Sequence, residues 1–232
     1  MSNPIHKYND PFGQEITFHI PDDVKNIGLR VSGGADSAII LYMTVVYCEQ
    51  YIPDANIHIL TCANPVKGWY NSKWSARVID KVLQLTGTHL IKSHYTYFAE
   101  TQTSNEMFKY ETDMYKAGTA DFFIHGTTLN PPSNIEHLQL DRYEPRDNSV
   151  SDLYYQNGNM TTFMPLRNVD KRMTAYLYYA HEVNRTLLPS TRSCEQHAVN
   201  NKDIGTWMES SCKKCWWCKE KKWAFEEMEK WQ

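Results

Sequence analysis

The segment Ser32-Gly33-Gly34-Ala35-Asp36-Ser37 places two glycines, two hydroxyl groups and one carboxylate after a short apolar run. Successive backbone N–H groups in such a turn, followed by the N-terminus of a helix, form a binding site for phosphate. No Gly-Lys pair occurs in the chain, so the loop lacks the lysine of Walker-type nucleotide-binding loops. A carboxylate beside a polyphosphate requires a cation, so Asp36 predicts a Mg²⁺ site. The alternative is an ordinary strand–helix junction in which Asp36 and Ser37 cap the helix.

A second group of candidate ligands consists of cysteines near the end of the sequence. Cys212, Cys215 and Cys218 follow a C-x₂-C-x₂-C spacing, and Cys194 lies upstream as the natural fourth thiolate. Four thiolates suit a tetrahedral structural Zn²⁺, and in an intracellular chain such a cluster favours metal over disulfides. His197 is the alternative fourth ligand, and an iron–sulfur cluster is the alternative occupant. The remaining cysteines, Cys48 and Cys62, stand alone in apolar segments and predict buried, inert thiols.

The segments around the loop alternate between strand and helix patterns. Strands are predicted over 26–32, 56–63, 88–95 and 121–126, and helices from Asp36, over 71–87 and over 105–118. This alternation predicts an α/β fold with a doubly wound parallel sheet. Ligands of such sheets bind beyond the carboxyl ends of the strands, which is where the glycine-rich loop lies.

The pattern changes in the second half of the chain. Residues 130–160 hold many turn formers and few periodic apolar residues, which predicts a long loop, an insertion or a lid. A short strand over 160–166 and an amphipathic helix over 168–183 follow. We expect the α/β domain to span residues 1–185 and a small C-terminal zinc-binding subdomain to span residues 186–232.

Composition limits the classes of partner. The chain has 232 residues, 41% of them hydrophobic, and a formal net charge of −3. A nucleic-acid partner would therefore need a local basic patch. The longest apolar run, residues 37–48, is shorter than the roughly 20 residues that span a bilayer, and the first residues show no leader pattern. We expect a soluble, cytoplasmic protein without membrane contact, and a homodimer is compatible with the sequence.

The loop sequence resembles the S-G-G-x-D-S signature of the PP-loop ATP pyrophosphatases, also called the adenine-nucleotide α-hydrolase-like family. This resemblance implies that the loop binds the β,γ-pyrophosphate of ATP. A substrate oxygen would be adenylylated at the α-phosphate, pyrophosphate would leave, and a nucleophile would then displace AMP. The absent lysine fits a loop that binds a leaving group instead of promoting γ-phosphoryl transfer.

The C-terminal part is similar to the 7-cyano-7-deazaguanine synthases of that family, in the segments "PLRNVDKRMTAYL", "STRSC" and "CKKCWWCKEKKWAF". The resemblance implies that 7-carboxy-7-deazaguanine is adenylylated, that ammonia converts it to an amide, and that a second ATP drives formation of the nitrile. Asp36 and Lys171 would be catalytic, although Lys171 is alternatively a solvated helix residue. ATP would contact Arg30, Ser32, Gly33, Gly34, Ala35, Asp36, Ser37 and Gly126. Zinc would be bound by Cys194, Cys212, Cys215 and Cys218.

Two other functions are compatible with the same residues. The segment after the second strand lacks the Tyr-Gly-Gln stretch usual among these synthases, so the substrate is less defined than the ATP chemistry. The basic and aromatic stretch "KKCWWCKEKKW" favours a tRNA substrate, as in thiolation or lysidine formation. Alternatively, this stretch is a metal-binding turn with Trp216 or Trp217 packed inward and its lysines solvated. The remaining alternative is a nucleotide-sensing module without turnover.

Overall fold

The computed structural model describes residues 2–63, 71–98, 104–139, 149, 151–194 and 213–231. The described elements, in chain order, are β1 (His6–Asn9), β2 (Glu15–Phe18), β3 (Asn26–Arg30), α1 (Ala35–Tyr51), β4 (Asn56–Ala63), α2 (Asn71–Thr86), β5 (Ile91–Phe98), α3 (Ser104–Lys116), β6 (Phe122–Ile124), α4 (Glu136–Gln139), β7 (Tyr154–Asn157), β8 (Met160–Phe163), α5 (Lys171–Ala180), a 3₁₀ turn (Leu188–Ser190) and α6 (Trp216–Glu229). Among these helices, none combines the length and the apolar character needed to cross a bilayer.

Six strands form the central sheet in the order β5-β4-β3-β6-β8-β7. All neighbouring pairs are parallel except β7 and β8, which form an antiparallel hairpin at one edge. This arrangement confirms the predicted α/β fold with a mostly parallel sheet. The strand that carries the loop, β3, lies between β4 and β6, so the chain crosses to either side of it. Such a reversal of strand order is the usual position of a ligand site in an open α/β sheet.

Five parts of the structure differ from the sequence prediction. The predicted loop over 130–160 contains the short helix α4 and the edge strand β7, and it lies partly on residues 140–148 and 150, outside the described residues. The third predicted strand, 88–95, is observed at Ile91–Phe98. The helix predicted over 168–183 is observed at Lys171–Ala180, with Asp170 as its N-cap and His181 as its C-cap. The β1–β2 hairpin and helix α6 were not predicted.

Helix α6 packs against α5 and joins the main hydrophobic core. Its buried side chains Trp223, Ala224, Phe225 and Met228 belong to the same cluster as Ile27 and Leu29 of β3. The indole Nε1 of Trp216 donates to the carbonyl oxygen of Leu138 at 2.6 Å. The helix that follows the cysteines is therefore in contact with the α/β core, and the predicted boundary at residue 185 stays a prediction.

The opposite face of the sheet is covered by α3. Gly28 of β3 lies directly against the ring of Phe123 on β6, where an added Cβ would be only 2.4 Å from ring carbons. Because side chains alternate along a strand, Arg30 points to the same face as Gly28. The two faces therefore present different side chains at the carboxyl end of β3.

Candidate functional site

The loop Ser32–Ser37 connects β3 to α1 at the carboxyl edge of the sheet. Gly33 has φ +82°, and a Cβ at this position would lie 2.5 Å from Cβ of Trp74 and 2.6 Å from its backbone carbon. Gly34 is the N-cap of α1 without a side-chain cap, and the hydroxyl of Ser37 donates to the carbonyl oxygen of Gly34 at 3.2 Å. The glycines and Ser37 thus fix the loop conformation, and the N-terminus of α1 opens above it.

Asp36 does not cap the helix; its carboxylate is bound to α5. Its Oδ2 accepts a hydrogen bond from Nζ of Lys171 at 2.5 Å, and its Oδ1 accepts one from the hydroxyl of Thr174 at 2.8 Å. Lys171 and Thr174 are three positions apart and share one face of α5. The first turn of α1 is therefore joined to the first turn of α5 by a charged pair.

Lys171 is almost completely buried, at 1% exposure, so its interpretation as a solvated helix residue is wrong. Its Nζ also lies 3.4 Å from Oε2 of Glu220, a fully buried carboxylate on α6. The ammonium group is thus placed between two carboxylates that come from different helices.

Two further segments contact the loop. Gly126 follows β6, and a Cβ on it would lie 3.0 Å from the carbonyl carbon and oxygen of Asp36. The backbone N–H of Arg192 donates to the carbonyl oxygen of Gly33 at 2.7 Å, and the N–H of Ala35 donates to Oγ of Ser193 at 3.3 Å. The predicted Ser-Cys element therefore packs directly onto the glycine-rich loop.

A cavity of about 260 Å³ lies above the loop. Of the predicted site residues, it is lined by Ser32, Gly34, Asp36, Gly126, Lys171 and Cys194. Gly33, Ala35 and Ser37 shape the loop backbone without lining the cavity. A concave loop, a helix N-terminus, a carboxylate and an ammonium group around one cavity can bind a phosphate together with a cation. The catalytic and ATP-binding roles of these residues stay predictions.

Arg30 is placed differently from the other predicted contacts. Its Nε pairs with Oε1 of Glu111 on α3, its guanidinium lies 5.2 Å from the ring centroid of Phe108, and it does not line the cavity. The same carboxylate oxygen of Glu111 lies 2.6 Å from Nε2 of His125. Burial, reinforced by the charge of Arg30, lowers the pKa of His125. Burial opposes ionisation of Glu111, but its two partners outweigh it and hold the pKa of Glu111 below its ordinary value.

Three of the four predicted metal ligands come together. The Sγ atoms of Cys194, Cys215 and Cys218 all lie within 4.8 Å of one another, with 3.8 Å between those of Cys194 and Cys215. The fourth, Cys212, is outside the described residues. Three sulfur donors at this spacing fit Zn²⁺ and also fit an iron–sulfur cluster.

The two isolated cysteines have different environments. Cys48 is fully buried as predicted, and burial raises the pKa of its thiol to about 12. Cys62, by contrast, is only half-buried.

A larger cleft of about 590 Å³ adjoins the cavity and shares Arg192, Ser193 and Cys194 with it. The other polar side chains that line it are cationic, from Arg77, Lys213, Lys221 and Lys222, or the hydroxyl of Thr191, and its aromatic walls are Trp74 and Phe225. Nζ of Lys221 donates to the hydroxyl of Thr191 at 2.8 Å, and burial followed by the charge of Lys171 lowers the pKa of Lys221 to about 8. The inward packing proposed for Trp216 is observed, but Lys219 and Lys221 of this stretch are only partly exposed.

Four residues that contact the site or its neighbouring charges were not predicted from the sequence: Thr174, Glu220, Glu111 and His125. The position of Thr174, one helical turn after Lys171, was a usable signal. Glu220 had a weaker one, a single acid within the basic stretch that follows Cys218. Glu111 lies on α3 and His125 directly follows β6, the next element, and no local spacing relates them.

No protein-family model matches the sequence, and no curated protein matches it. Among solved structures, the chain is similar to the Candida glabrata FMN adenylyltransferase in complex with FMN and an ATP analogue, with 13% identity, a TM-score of 0.40, and coverage of 66% of this chain and 48% of that chain. It is similar to the U34-tRNA thiolase NcsA from Methanococcus maripaludis with its 4Fe–4S cluster, with 14% identity, a TM-score of 0.46, and coverage of 90% and 67%. It is also similar to the NAD+ synthetase from Burkholderia pseudomallei, with 12% identity, a TM-score of 0.39, and coverage of 88% and 82%. The chain thus spans about half the length of the adenylyltransferase.

Proposed function

We propose that the chain is an ATP-dependent enzyme that adenylylates a substrate oxygen and releases pyrophosphate. The observation that carries this proposal is the contact between Oδ2 of Asp36 and Nζ of Lys171, at 2.5 Å. Both side chains line the cavity above the glycine-rich loop. Phosphate needs N–H donors and positive charge, which the loop, the N-terminus of α1 and Lys171 supply. A carboxylate in the same cavity suits a cation that accompanies the phosphates.

Each group has a distinct task in this reaction. The backbone of the loop and the hydroxyl of Ser32 bind the β- and γ-phosphates, and the carboxylate of Asp36 is the candidate ligand for Mg²⁺. Mg²⁺, when bound, neutralises charge on the phosphates. The substrate oxygen forms a bond to the α-phosphorus while the bond from that phosphorus to the β-phosphate oxygen breaks. Lys171 stabilises negative charge that develops on the departing pyrophosphate.

The first candidate substrate is 7-carboxy-7-deazaguanine, whose carboxylate supplies the attacking oxygen. Ammonia then displaces AMP to form the amide, and a second adenylylation leads to the nitrile. The "STRSC" element supports this assignment because its Arg192 and Ser193 pack onto the loop and its Cys194 joins the cysteine cluster. Zinc at that cluster is structural, since four cysteine ligands leave no open position for catalysis.

The test is product analysis with ATP, Mg²⁺, ammonium and 7-carboxy-7-deazaguanine. We expect AMP and pyrophosphate to appear only when the acid is present. ATP without the acid is the control for background hydrolysis. AMP release that requires added tRNA instead would contradict this substrate, and ATP binding without turnover on either substrate would favour the sensing module.

A second candidate substrate is a nucleic acid such as tRNA. The cleft that adjoins the cavity favours it, because Arg77, Lys213, Lys221 and Lys222 can contact a phosphodiester backbone while Trp74 stacks on a base. Binding of labelled RNA at several salt concentrations tests this candidate. An affinity that falls steeply with salt, and falls further in Lys221→Gln, supports it. Salt-independent or undetectable binding contradicts it.

The metal assignment has its own test. Elemental analysis of the purified chain should give about one zinc per chain, and zinc should be lost together with stability in Cys215→Ser. Cys62→Ser is the matched control because its thiol is half-buried and outside the cluster. Iron and sulfide in place of zinc would establish the iron–sulfur alternative.

A further inference from the structure

We propose that Glu220 is a positioning residue that keeps Lys171 directed at the phosphates when Asp36 engages the cation. This inference rests on the proposed ATP chemistry and adds to it a residue of the C-terminal helix. Glu220 does not line the cavity and does not touch the reacting atoms; it acts through Lys171.

The geometry places Lys171 between two unequal carboxylates. Oδ2 of Asp36 lies 2.5 Å from Nζ of Lys171. The side chain of Asp36 is 19% exposed and lines the cavity. Glu220 Oε2 lies 3.4 Å from Nζ, and its side chain has no exposure. Of the two carboxylates, only Asp36 is accessible to an ion that enters the cavity. Asp36 can therefore give up its contact with Lys171 and bind the ion instead.

The charges explain why a second carboxylate is needed. A buried ammonium group without a partner is strongly unfavourable, and so is a buried carboxylate. When the carboxylate of Asp36 binds a cation, Lys171 would lose its nearest partner. Glu220 remains in place, so the ammonium group keeps a carboxylate partner and its position beside the phosphates. If this pair served packing alone, apolar side chains of similar volume would fill the space without a desolvation penalty.

The position of Glu220 also ties this pair to the cysteine cluster. Glu220 lies two residues after Cys218 in the first turns of α6. Metal bound by the cysteines would fix the start of this helix, and the same turn then holds the carboxylate against Lys171. The C-terminal segment therefore contributes to the phosphate site through the buried side chain of Glu220, in addition to Trp217, which lines the cavity.

The test uses inorganic pyrophosphate with Mg²⁺, because its binding requires no substrate. Titration calorimetry on the full chain should show about tenfold weaker binding in Glu220→Gln, the cost of one hydrogen bond to a charged group. Glu226→Gln is the matched control, since Glu226 lies on the same helix, is exposed and pairs with Lys222 at 3.5 Å. Zinc content and the circular dichroism spectrum should equal those of the unsubstituted protein in both variants. Glu220→Met should give the same loss and serves if Glu220→Gln does not fold.

A double-mutant cycle separates positioning from general support of the fold. In a Lys171→Met background, Glu220→Gln should cause no further loss of pyrophosphate affinity, because the group that Glu220 positions is gone. An equal loss in both backgrounds would overturn the proposal, as would unchanged affinity in Glu220→Gln. If the unsubstituted protein binds no pyrophosphate with Mg²⁺, the proposed function itself fails, and this inference fails with it.

Discussion

Two buried glutamates lie on opposite faces of the central sheet, and each is paired with a cation near the carboxyl ends of the strands. Glu220 pairs with Lys171 on the face covered by α5 and α6. Glu111 pairs with Arg30 and His125 on the face covered by α3. Lys171 borders the cavity above the loop, whereas Arg30 and His125 are not among the described residues that line it.

The difference lies in what else each cation contacts. Lys171 has a second carboxylate, Asp36, that is partly exposed and lines the cavity. Arg30 instead lies over the ring of Phe108, with its Nε against Glu111. A buried ion pair can serve a binding site only where one of its members reaches the cavity. The pair on the other face links β3 and α3, and we expect it to support the sheet.

The largest expected effect is a loss of enzymatic activity, caused by a substitution on the face of the sheet that borders the cavity. Asp36→Ala removes the candidate cation ligand and the nearest partner of Lys171, so AMP release should fall by more than about 100-fold. Steady-state assays of AMP and pyrophosphate measure this loss. Asp54→Ala is the control, because Asp54 forms an exposed ion pair with Lys25 at 2.5 Å. An unchanged rate in Asp36→Ala would refute the assignment of the site.

The opposite face should respond in stability instead of binding. Glu111→Gln removes the buried charge between Arg30 and His125 and should lower the free energy of unfolding by about 3 kcal/mol, as when a buried ion pair is broken. Urea unfolding measures this change. Because neither partner lines the cavity, pyrophosphate affinity of the folded variant should stay within about threefold, less than one hydrogen bond to a charged group. A fall in the pyrophosphate affinity of Glu111→Gln as large as the fall in AMP release expected for Asp36→Ala would contradict the distinction between the two faces.

The smallest expected effect is a decrease in stability at acidic pH that results from protonation of His125. Its pKa is lowered in the folded chain by burial and by Arg30, so the unfolded chain binds the proton first as the pH falls. Stability should therefore decrease as the pH drops below about 6.5, the ordinary pKa of histidine. The lowered pKa of Glu111 adds its own loss only at more acidic pH, below the ordinary range of a glutamate.

His125→Gln should flatten this part of the profile, because glutamine can still donate to Glu111 but does not titrate. Unfolding curves between pH 7 and pH 5 would measure it. His89→Gln is the matched control, since His89 is exposed. The same slope in all three proteins would show that burial of His125 does not govern acid sensitivity.

Local sequence patterns predicted the elements that carry the loop. The first predicted strand, the loop and the following helix are observed at β3, 31–34 and α1 because apolar runs and glycines act over neighbouring residues. The β1–β2 hairpin was missed because its four-residue strands pair only with each other and gain their burial from the main core. Helix α6 was not predicted because its apolar side chains alternate with lysines and glutamates, and their burial depends on contact with the main core.

The sequence by itself determined which chemical groups the loop, the Lys171 helix and the cysteine cluster contribute to the candidate site. The loop, Lys171 and the cysteine spacing are short-range patterns, and their chemistry follows from residue types a few positions apart. Only the tertiary structure decided which charges meet. Asp36 and Lys171 are 135 positions apart, and Arg30 is bound to Glu111 instead of facing the phosphate cavity. Partners at such distances depend on the strand order and on which face of the sheet each helix covers, and both are set by the packing of the whole core.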